Sequence, residues 1–543
     1  MPLLNPFSRP LQLTTYRNHN PYVSRRRLQR VEVAGQKITT YGIALLGIVL
    51  IGAFLRVYHL GTQSIWFDEA YSVGLSSLSV PQIVQAAAAD VQPPLYYLLL
   101  HYWMMAFGTS ESAVRLLSVL FGVLAIPMIY VVGRQLFNKE TGLVGALILA
   151  LSSFNIYYSQ ETRMYSLMAL LALLSMYFFW RFLRQSNLVS SVGYVLSTTL
   201  LVYTHYYGFF VVIAENFYVV TLLLLSKNRT YKLKHWVALQ AIVVALFVPW
   251  VAVLIGQISR RITRVNLAPP TLATISHTFI VYSGTALLVA LFLGLSVLSL
   301  FTYQKVRGSM DWKAPLKALQ SYAWKVRIAN VEPVYFLAVW LFAINIIPFI
   351  ISRFSAPIYS YSLERYAIAG AVALYLLVAK GINNINHRYT KVAVIGIIIV
   401  LSAANLQPYY TSITKPQARE ATSFIDANLK SGDIVLVSPE WEHSTFDYYN
   451  NPTDIVVKPI HSWNVVDKPI NSSATPSVNR PEDKIKEIQS DVSGHDRVWL
   501  LYAYAGEDKL AKNFTLSVLN ESYTNTYKMS YYTYEVYLFE KRA

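Results

Sequence analysis

The sequence predicts a polytopic α-helical membrane protein with about eleven transmembrane helices, interfacial helices in its first external loop and a C-terminal soluble α/β domain. Three observations predict this class. The 543 residues are 54% hydrophobic and only 14% charged, with a mean hydropathy of +0.37, too apolar for a single soluble domain. Apolar runs of roughly 18 or more residues, the length a helix needs to cross a bilayer, recur from about residue 40 to about residue 408. The formal charge of +17 is unevenly spread: residues 1–408 carry 32 Lys and Arg against 11 Asp and Glu, and residues 409–543 carry 14 against 18. The excess of positive charge thus belongs to the apolar part. There it marks cytoplasmic loops and not a nucleic-acid surface.

The elements follow in order. Residues 1–37 are polar and basic, with Arg17, Arg25, Arg26, Arg27, Arg30 and Lys37. They lack a signal-peptide pattern and read as a cytoplasmic tail before an uncleaved first span. Spans are expected at roughly 38–57, 112–132, 141–157, 164–184, 189–204, 208–226, 235–256, 276–303, 334–351, 366–382 and 391–408. With eleven spans, the Lys- and Arg-bearing loops at Arg134/Lys139, Arg181/Arg184, Lys227–Lys234, 304–333 and Lys380–Lys391 all fall on the side of the basic amino terminus. The amino terminus is therefore expected in the cytoplasm, and residues 409–543 outside a plasma (inner) membrane. Three regions result: a tail 1–37, a transmembrane domain 38–408 and an extracytoplasmic domain 409–543.

The first external loop, about 58–111, contains no Lys or Arg. Ser79–Asp90 reads as a short helix with Pro81 in its first turn. Pro93–Phe107 is apolar but too short to span, and reads as a helix at the interface. After the last span, Ala418–Leu429 is helical in pattern, Asp433–Ser438 and Arg497–Tyr504 read as strands, and Glu507–Val518 as a helix. The Tyr-rich 522–540 reads as a hairpin, and about 451–494 as loop. There is no Cys, and so neither a disulfide nor a thiolate metal site. No Gly-rich nucleotide loop occurs.

Candidate functional residues lie on one side. Six of the eleven acids of the membrane part, Asp68, Glu69, Asp90, Glu111, Glu161 and Glu364, fall on the external face. Asp68-Glu69 sits among Ile65, Trp66, Phe67 and Tyr71. It is either a solvated loop pair or a partly desolvated pair in which one carboxylate serves as a general base towards a hydroxyl. Asp90 is a turn residue or a site residue; Glu161 and Arg163 are a cap with a snorkelling Arg or part of the site. His205-Tyr206 is an interfacial anchor or a ligand contact. Glu215, deep in a span, is polar glue between helices or a direct participant. Arg260, Arg261 and Arg264 oppose the positive-inside trend. They suit a phosphate, or simply lipid headgroups. Arg353 and Arg365 flank the last external loop and either close the same site or form structural ion pairs.

Five stretches carry a family resemblance: Trp66-Phe67-Asp68-Glu69-Ala70-Tyr71 after the first span, Gln92-Pro93-Pro94-Leu95-Tyr96, Glu111–Ser118 opening the second span, Tyr158–Tyr165, and Glu364-Arg365-Tyr366. In this order and on this side they resemble the membrane-embedded GT-C glycosyltransferases, in particular the bacterial family 39 group of protein O-mannosyltransferase-like and aminoarabinose-transferase-like enzymes. The resemblance implies an inverting glycosyltransferase that moves a sugar from a polyprenyl-phosphate donor to an acceptor hydroxyl of a lipid, glycan or protein on the external face. It implies Asp68 as the general base and Glu69 as the residue that orients acceptor or donor. Tyr71, Asp90, Glu161, Arg163, His205 and Tyr206 would bind substrate, and Arg260, Arg261, Arg264, Arg353 and Arg365 the donor phosphate. Several relatives carry Asp in the region of Glu161. No metal and no cofactor are expected, and the partners are the donor, the acceptor and the bilayer, not nucleic acid.

A rival reading is a lipid or solute transporter. Transporters place ionisable residues and broken helices near the bilayer midplane. Here the charges crowd one interface beside a soluble domain, which favours the transferase.

Overall fold

The structure, a computed structural model, describes residues 31–33, 36–38, 40–225, 230–264, 269–305, 324–328, 331–355, 358–359, 364–450, 455–460, 481–504 and 509–542. After a short antiparallel pair, β1 (Val31–Val33) and β2 (Gln36–Ile38), come the helices α1 (Thr40–Val57), α2 (Phe67–Ser76), α3 (Val80–Ala89), α4 (Leu95–Phe107), α5 (Glu111–Leu136), α6 (Lys139–Leu151) and α7 (Ser153–Ser159). Then follow α8 (Tyr165–Arg184), α9 (Leu188–Thr204), α10 (Gly208–Leu225), α11 (Thr230–Arg264), α12 (Leu272–Ser283) and α13 (Ala286–Leu298). An antiparallel ribbon of β3 (Phe301–Lys305) and β4 (Trp324–Ile328) precedes α14 (Val331–Phe354), a 3-10 turn (Glu364–Ala367), α15 (Ile368–Asn384) and α16 (Arg388–Thr411).

Among the described residues eight helices are long and apolar enough to cross a membrane, ten if the bent pairs α6–α7 and α12–α13, at 61° and 89°, are each counted as one broken span. With the 17-residue apolar α9 they match the eleven expected segments one for one. Helices α3 and α4, of 10 and 13 residues, are too short to cross, as expected for the first loop.

Two compact units are distinguished: Met1–Tyr58, Val80–Leu99 and Leu116–Pro408 in one, His59–Ser79, Leu100–Arg115 and Tyr409–Ala543 in the other. Within the first, α15 is the central helix, 94% of its apolar window being buried. Its small residues allow close packing: a Cβ at Gly381 would fall 1.9 Å from the carbonyl oxygen of Leu295 on α13. Helices α1 and α16 are only 11% buried, and the exposed Leu46, Leu50, Phe54, Ile397 and Val400 are the apolar surface that a bilayer covers.

The bends have identifiable causes. At α12–α13 the chain turns through Gly284 with φ +95°, which a side chain would resist. At α6–α7 the break at Ser152 leaves helix-end carbonyls without amide partners. The fully buried Arg56 of α1 supplies donors, Nη2 to Leu149 O at 3.0 Å and Nη1 to Ala150 O at 3.2 Å, with a third bond from Nε to Ser159 Oγ at 3.2 Å.

The second unit holds a five-stranded mixed sheet of order β6-β5-β7-β9-β8, from β5 (Ile434–Ser438), β6 (Val456–Pro459), β7 (Arg497–Ala503), β8 (Tyr523–Ser530) and β9 (Tyr534–Lys541). Strands β5, β6 and β7 are parallel, and β9 is antiparallel to β7 and β8. Alternation along the strands sends Ile434, Leu436, Val498 and Leu500 to one core and Val435, Val437, Trp499 and Leu501 to the other. Helices α19 (Pro481–Val492) and α20 (Lys509–Ser522) cover the first face, and α17 (Ala418–Asn428) and α18 (His443–Tyr449) the second. Helix α18 also packs on α2. The expectation of loop over about 451–494 is corrected: β6 and α19 fall within it. Ile485, Ile488 and Val492, spaced three and four apart, give α19 its apolar face despite the polar residues around them.

Candidate functional site

Asp68 and Glu69 open α2, in its first turn, where carboxylates are favoured by the helix dipole. Adjacent helical residues point about 100° apart, so the pair divides. Asp68 is half-buried, with Phe67 and Tyr71 beside it in α2, their rings 6.2 Å apart. Glu69 is fully buried and held by two cations. Arg115 of α5 donates from Nε to Oε1 and from Nη2 to Oε2, both at 2.8 Å, and Lys415 Nζ donates to Oε2 at 3.0 Å. Arg115 also donates to the carbonyls of Leu60, Gln63 and Ser64 at 2.7–2.8 Å, so that its guanidinium is spent entirely inside the protein.

The connector from Leu60 to Ile65 is thus held from several directions. Gln63 Oε1 accepts from the amides of Thr414 and Lys415, both at 2.8 Å. Arg419 of α17 donates to Thr62 O at 2.8 Å and to Glu111 Oε2 at 2.7 Å, and the Tyr449 hydroxyl donates to Glu111 Oε1 while accepting from the Ile65 amide. Burial alone would raise the pKa of Glu420, but hydrogen bonds from Ser64 and Arg419 hold it below the usual carboxylate range. Glu442, just before α18, is buried and accepts from the Tyr534 hydroxyl at 2.5 Å. Burial pushes its pKa up against the bond from Tyr534, and the charge of Asp68 adds to the rise. Arg115, Lys415, Arg419 and Glu442 were not among the predicted site residues. Arg115 alone stands in one of the quoted motifs; the others lie in sequence with no distinguishing pattern.

In the first unit, the turn between α7 and α8 carries Glu161 and Arg163, 0% and 6% exposed. They are buried, not snorkelling. Gln160 ties this turn to the end of α1 through the carbonyls of Arg56 and Tyr58 at 3.0 and 2.8 Å, and Ser118 Oγ donates to Arg163 O at 3.0 Å. Glu161, Glu364 and Arg365 all act electrostatically on Tyr158. The Arg365 guanidinium lies 5.9 Å from the Tyr165 ring and 5.7 Å from that of Tyr366, and His205 lies 4.7 Å from Tyr366. Tyr158, Glu161, Tyr165, His205, Glu364, Arg365 and Tyr366, from three separate stretches of the sequence, therefore form one aromatic and charged cluster. Glu215 lies elsewhere, in a buried polar junction with Ser175 and Tyr194.

Beside the cluster is a largely apolar cavity of about 220 Å³, lined by Gln92, His205, Tyr206, Gln257 and Tyr366 with Phe209 and Leu254. Gln92 Oε1 is buried and accepts no hydrogen bond among the described residues. The Tyr206 hydroxyl donates to Gln257 Oε1 and accepts from Trp250 Nε1, and Gln257 Nε2 donates to Ala87 O on α3 at 2.8 Å. Burial pushes Tyr206 up to about 12, and the nearby charge of Asp90 adds to this. Arg353 is exposed at the end of α14. Helix α11 runs to Arg264, but the side chains of Arg260, Arg261 and Arg264 lie outside the described residues. No group of three or more His, Asp or Glu among the described residues has an arrangement able to hold a metal ion.

The apo structure of ArnT from Cupriavidus metallidurans matches with a TM-score of 0.55 over 91% of this chain and 97% of that one, at 11% identity. The chain has the GT-C fold. Two further GT-C structures are similar: the same ArnT bound to undecaprenyl phosphate (TM-score 0.53, 13% identity, 91% and 97% covered), and the archaeal oligosaccharyltransferase AglB from Archaeoglobus fulgidus in complex with an inhibitory peptide and a dolichol-phosphate (0.52, 12%, 92% and 74%). Residues 91–253, in the GT-C transmembrane part, match the family model of dolichyl-phosphate-mannose-protein mannosyltransferase. No curated protein sequence matches the chain. The GT-C resemblance carried by the motifs is borne out.

Proposed function

We propose that the protein is an inverting glycosyltransferase that moves a sugar from a polyprenyl-phosphate donor to an acceptor hydroxyl. The observation that carries this reading is the division of labour in the first turn of α2. Glu69 is fully buried and paired with Arg115 and Lys415, whereas Asp68, next to it in the same turn, is only half-buried. The family match over residues 91–253 and the polyprenyl phosphates bound by the two structural neighbours support the same chemistry.

In the proposed step the acceptor oxygen attacks the anomeric carbon, the bond from that carbon to the phosphate oxygen breaks, and the hydroxyl proton passes to the Asp68 carboxylate. Phosphate is already a good leaving group, so one base suffices and no general acid is needed. Arg365 and the Arg260/Arg261/Arg264 group, with Arg353 nearby in sequence, would stabilise the growing phosphate charge. The apolar cavity beside Tyr206 suits the first isoprenoid units, with Gln92 Oε1 and His205 at its polar end. Tyr71, Asp90, Glu161 and Arg163 would bind substrate, as the motif resemblance implies, and Glu69 acts by positioning α2. The reaction as written uses no metal or cofactor.

By the distribution of Lys and Arg, the site faces outward from a plasma (inner) membrane, with the amino terminus in the cytoplasm and residues 409–543 as an extracytoplasmic domain. The test is donor binding. Mass spectrometry of lipids co-purifying with the protein should find a polyprenyl phosphate or its sugar derivative, and Arg365→Ala, or Arg260→Ala with Arg261→Ala, should weaken binding of added polyprenyl phosphate about tenfold or more. Absence of any such lipid, with unchanged binding in both variants, would refute the proposal.

A further inference from the structure

The second unit contains an open groove of about 860 Å³ that the proposed reaction does not use. Its floor is one face of α2, where Ala70, Val73 and Gly74 recur at helical spacing, with the C-cap residue Ser77 on the same side. That face is turned roughly 180° from Asp68. The size is within the range of ligand pockets, roughly 300–1,000 Å³.

The walls narrow the choice of ligand. Ser77, Thr109, Ser110 and Ser112 line the groove and are exposed, and each hydroxyl can both donate and accept. Asp447 adds an exposed carboxylate, already bonded on one side to His443 at 2.7 Å. Glu111 and Arg419 pair with each other at 2.7 Å. Glu111 and Asp447 against Arg419 leave the lining net negative, which disfavours a phosphate, and the hydroxyls disfavour a lipid tail. Tyr448 and Tyr449 stand at 88° to each other with centroids 4.8 Å apart. Their hydroxyls are occupied inside the protein, on Thr109 O and Glu111, so what they offer a ligand is ring surface. Ring surface, hydroxyls and a carboxylate acceptor around a small-residue floor match a neutral, hydroxyl-rich ring with one apolar face.

We infer that this groove binds a neutral carbohydrate chain, on the face of α2 opposite Asp68. It rests on the transferase reading only in identifying that chain as part of the acceptor; the binding itself is tested without transfer. Through Arg419, which holds Gly61 and Thr62 at 3.3 and 2.8 Å, the groove is linked to the same connector that Arg115 clamps.

A Cβ at Gly74 meets nothing within 4 Å, so Gly74→Phe projects into the groove without a clash. Ser77, exposed and lining the same groove, is the second position for a Phe substitution. The experiment is calorimetric titration of the full chain, in a detergent without sugar headgroups, with maltoheptaose, mannotetraose and chitotetraose. At least one should bind, Gly74→Phe and Ser77→Phe should weaken it about tenfold or more, and Asp68→Asn should leave it unchanged. In the unmodified protein the bound sugar should also slow amide hydrogen exchange over residues 73–77 and 109–112. Binding by none of the three sugars, or binding without that protection, overturns the inference. So does loss of binding in Asp68→Asn with retention in Gly74→Phe. Failure to transfer sugar with groove binding intact would count against the proposed reaction and not against the groove.

Discussion

Arg115 and Glu69 meet as a two-pronged ion pair, Nε to Oε1 and Nη2 to Oε2, each at 2.8 Å, with side chains 2% and 0% exposed. Removing one member of a buried pair strands the other charge and costs about 3–5 kcal/mol, whereas the pair itself is worth far less than that. Arg115→Ala is therefore expected to lower stability by about that amount. Arg115→Lys should rescue it only partly, since an ammonium cannot reproduce the fork or reach the carbonyls of Leu60, Gln63 and Ser64 together. Thermal unfolding of the detergent-solubilised variants checks this; Arg115→Lys with full stability would show that the fork geometry is dispensable.

Two carboxylates of the second unit should give opposite pH dependences. The folded-state pKa of Glu420 is depressed by Ser64 and Arg419, so its contribution is present above the unfolded value and is lost as pH falls below about 4.5 through the folded value. Glu442 has a raised folded pKa through burial, so its contribution is present below the unfolded value and is lost as pH rises through the folded one. Glu420→Gln should flatten the acid limb of the stability curve. Glu442→Gln keeps the Tyr534 bond and should make the protein more stable relative to the parent as pH rises above 4.5. Denaturant unfolding from acid to neutral pH, in which both variants move the curve in the same direction, would contradict this assignment.

Arg56 holds the 61° bend between α6 and α7 by bonding carbonyls that the break at Ser152 releases. Leaving buried acceptors without donors costs about 1–3 kcal/mol each. Arg56→Met, which keeps much of the apolar stem, is expected to lose at least one such increment and to disorder the adjoining turn with Glu161 and Arg163. The measurement is hydrogen exchange at Ser159–Met164, which should accelerate in the variant. Unaltered exchange would mean that Gln160 and Ser118 hold that turn unaided.

Much of this was legible in the sequence because the bilayer imposes length and apolarity on each span. All eleven segments were placed, even where α6–α7 and α12–α13 break, since a bend does not change hydropathy. The C-terminal strands Ile434–Ser438 and Arg497–Ala503 were legible as short β-rich runs. Helix α19 was not: its three apolar contacts are outnumbered by charges, and only packing on the sheet reveals its face. At the site, Asp68 and Glu69 stood out by their aromatic surroundings, but the two look equivalent in sequence. What separates them is Arg115, 46 residues away, and Lys415, 346 residues away. Such long-range partners carry no local pattern. Glu161 and Arg163 read equally well as a snorkelling interfacial turn, and only burial against Ser118 and Gln160 decides otherwise.

The central claim is that Asp68 accepts the acceptor proton while Glu69 positions its helix. Its most direct test is Asp68→Asn in proteoliposomes, with donor consumption followed using a radiolabelled polyprenyl-phosphate sugar and a glycolipid extract of the source cells as acceptor. A positioned base contributes about 10²–10⁴-fold, so transfer should fall by that factor while polyprenyl-phosphate binding and the unfolding midpoint stay at parental values. Transfer by Asp68→Asn at the parental rate would contradict the account.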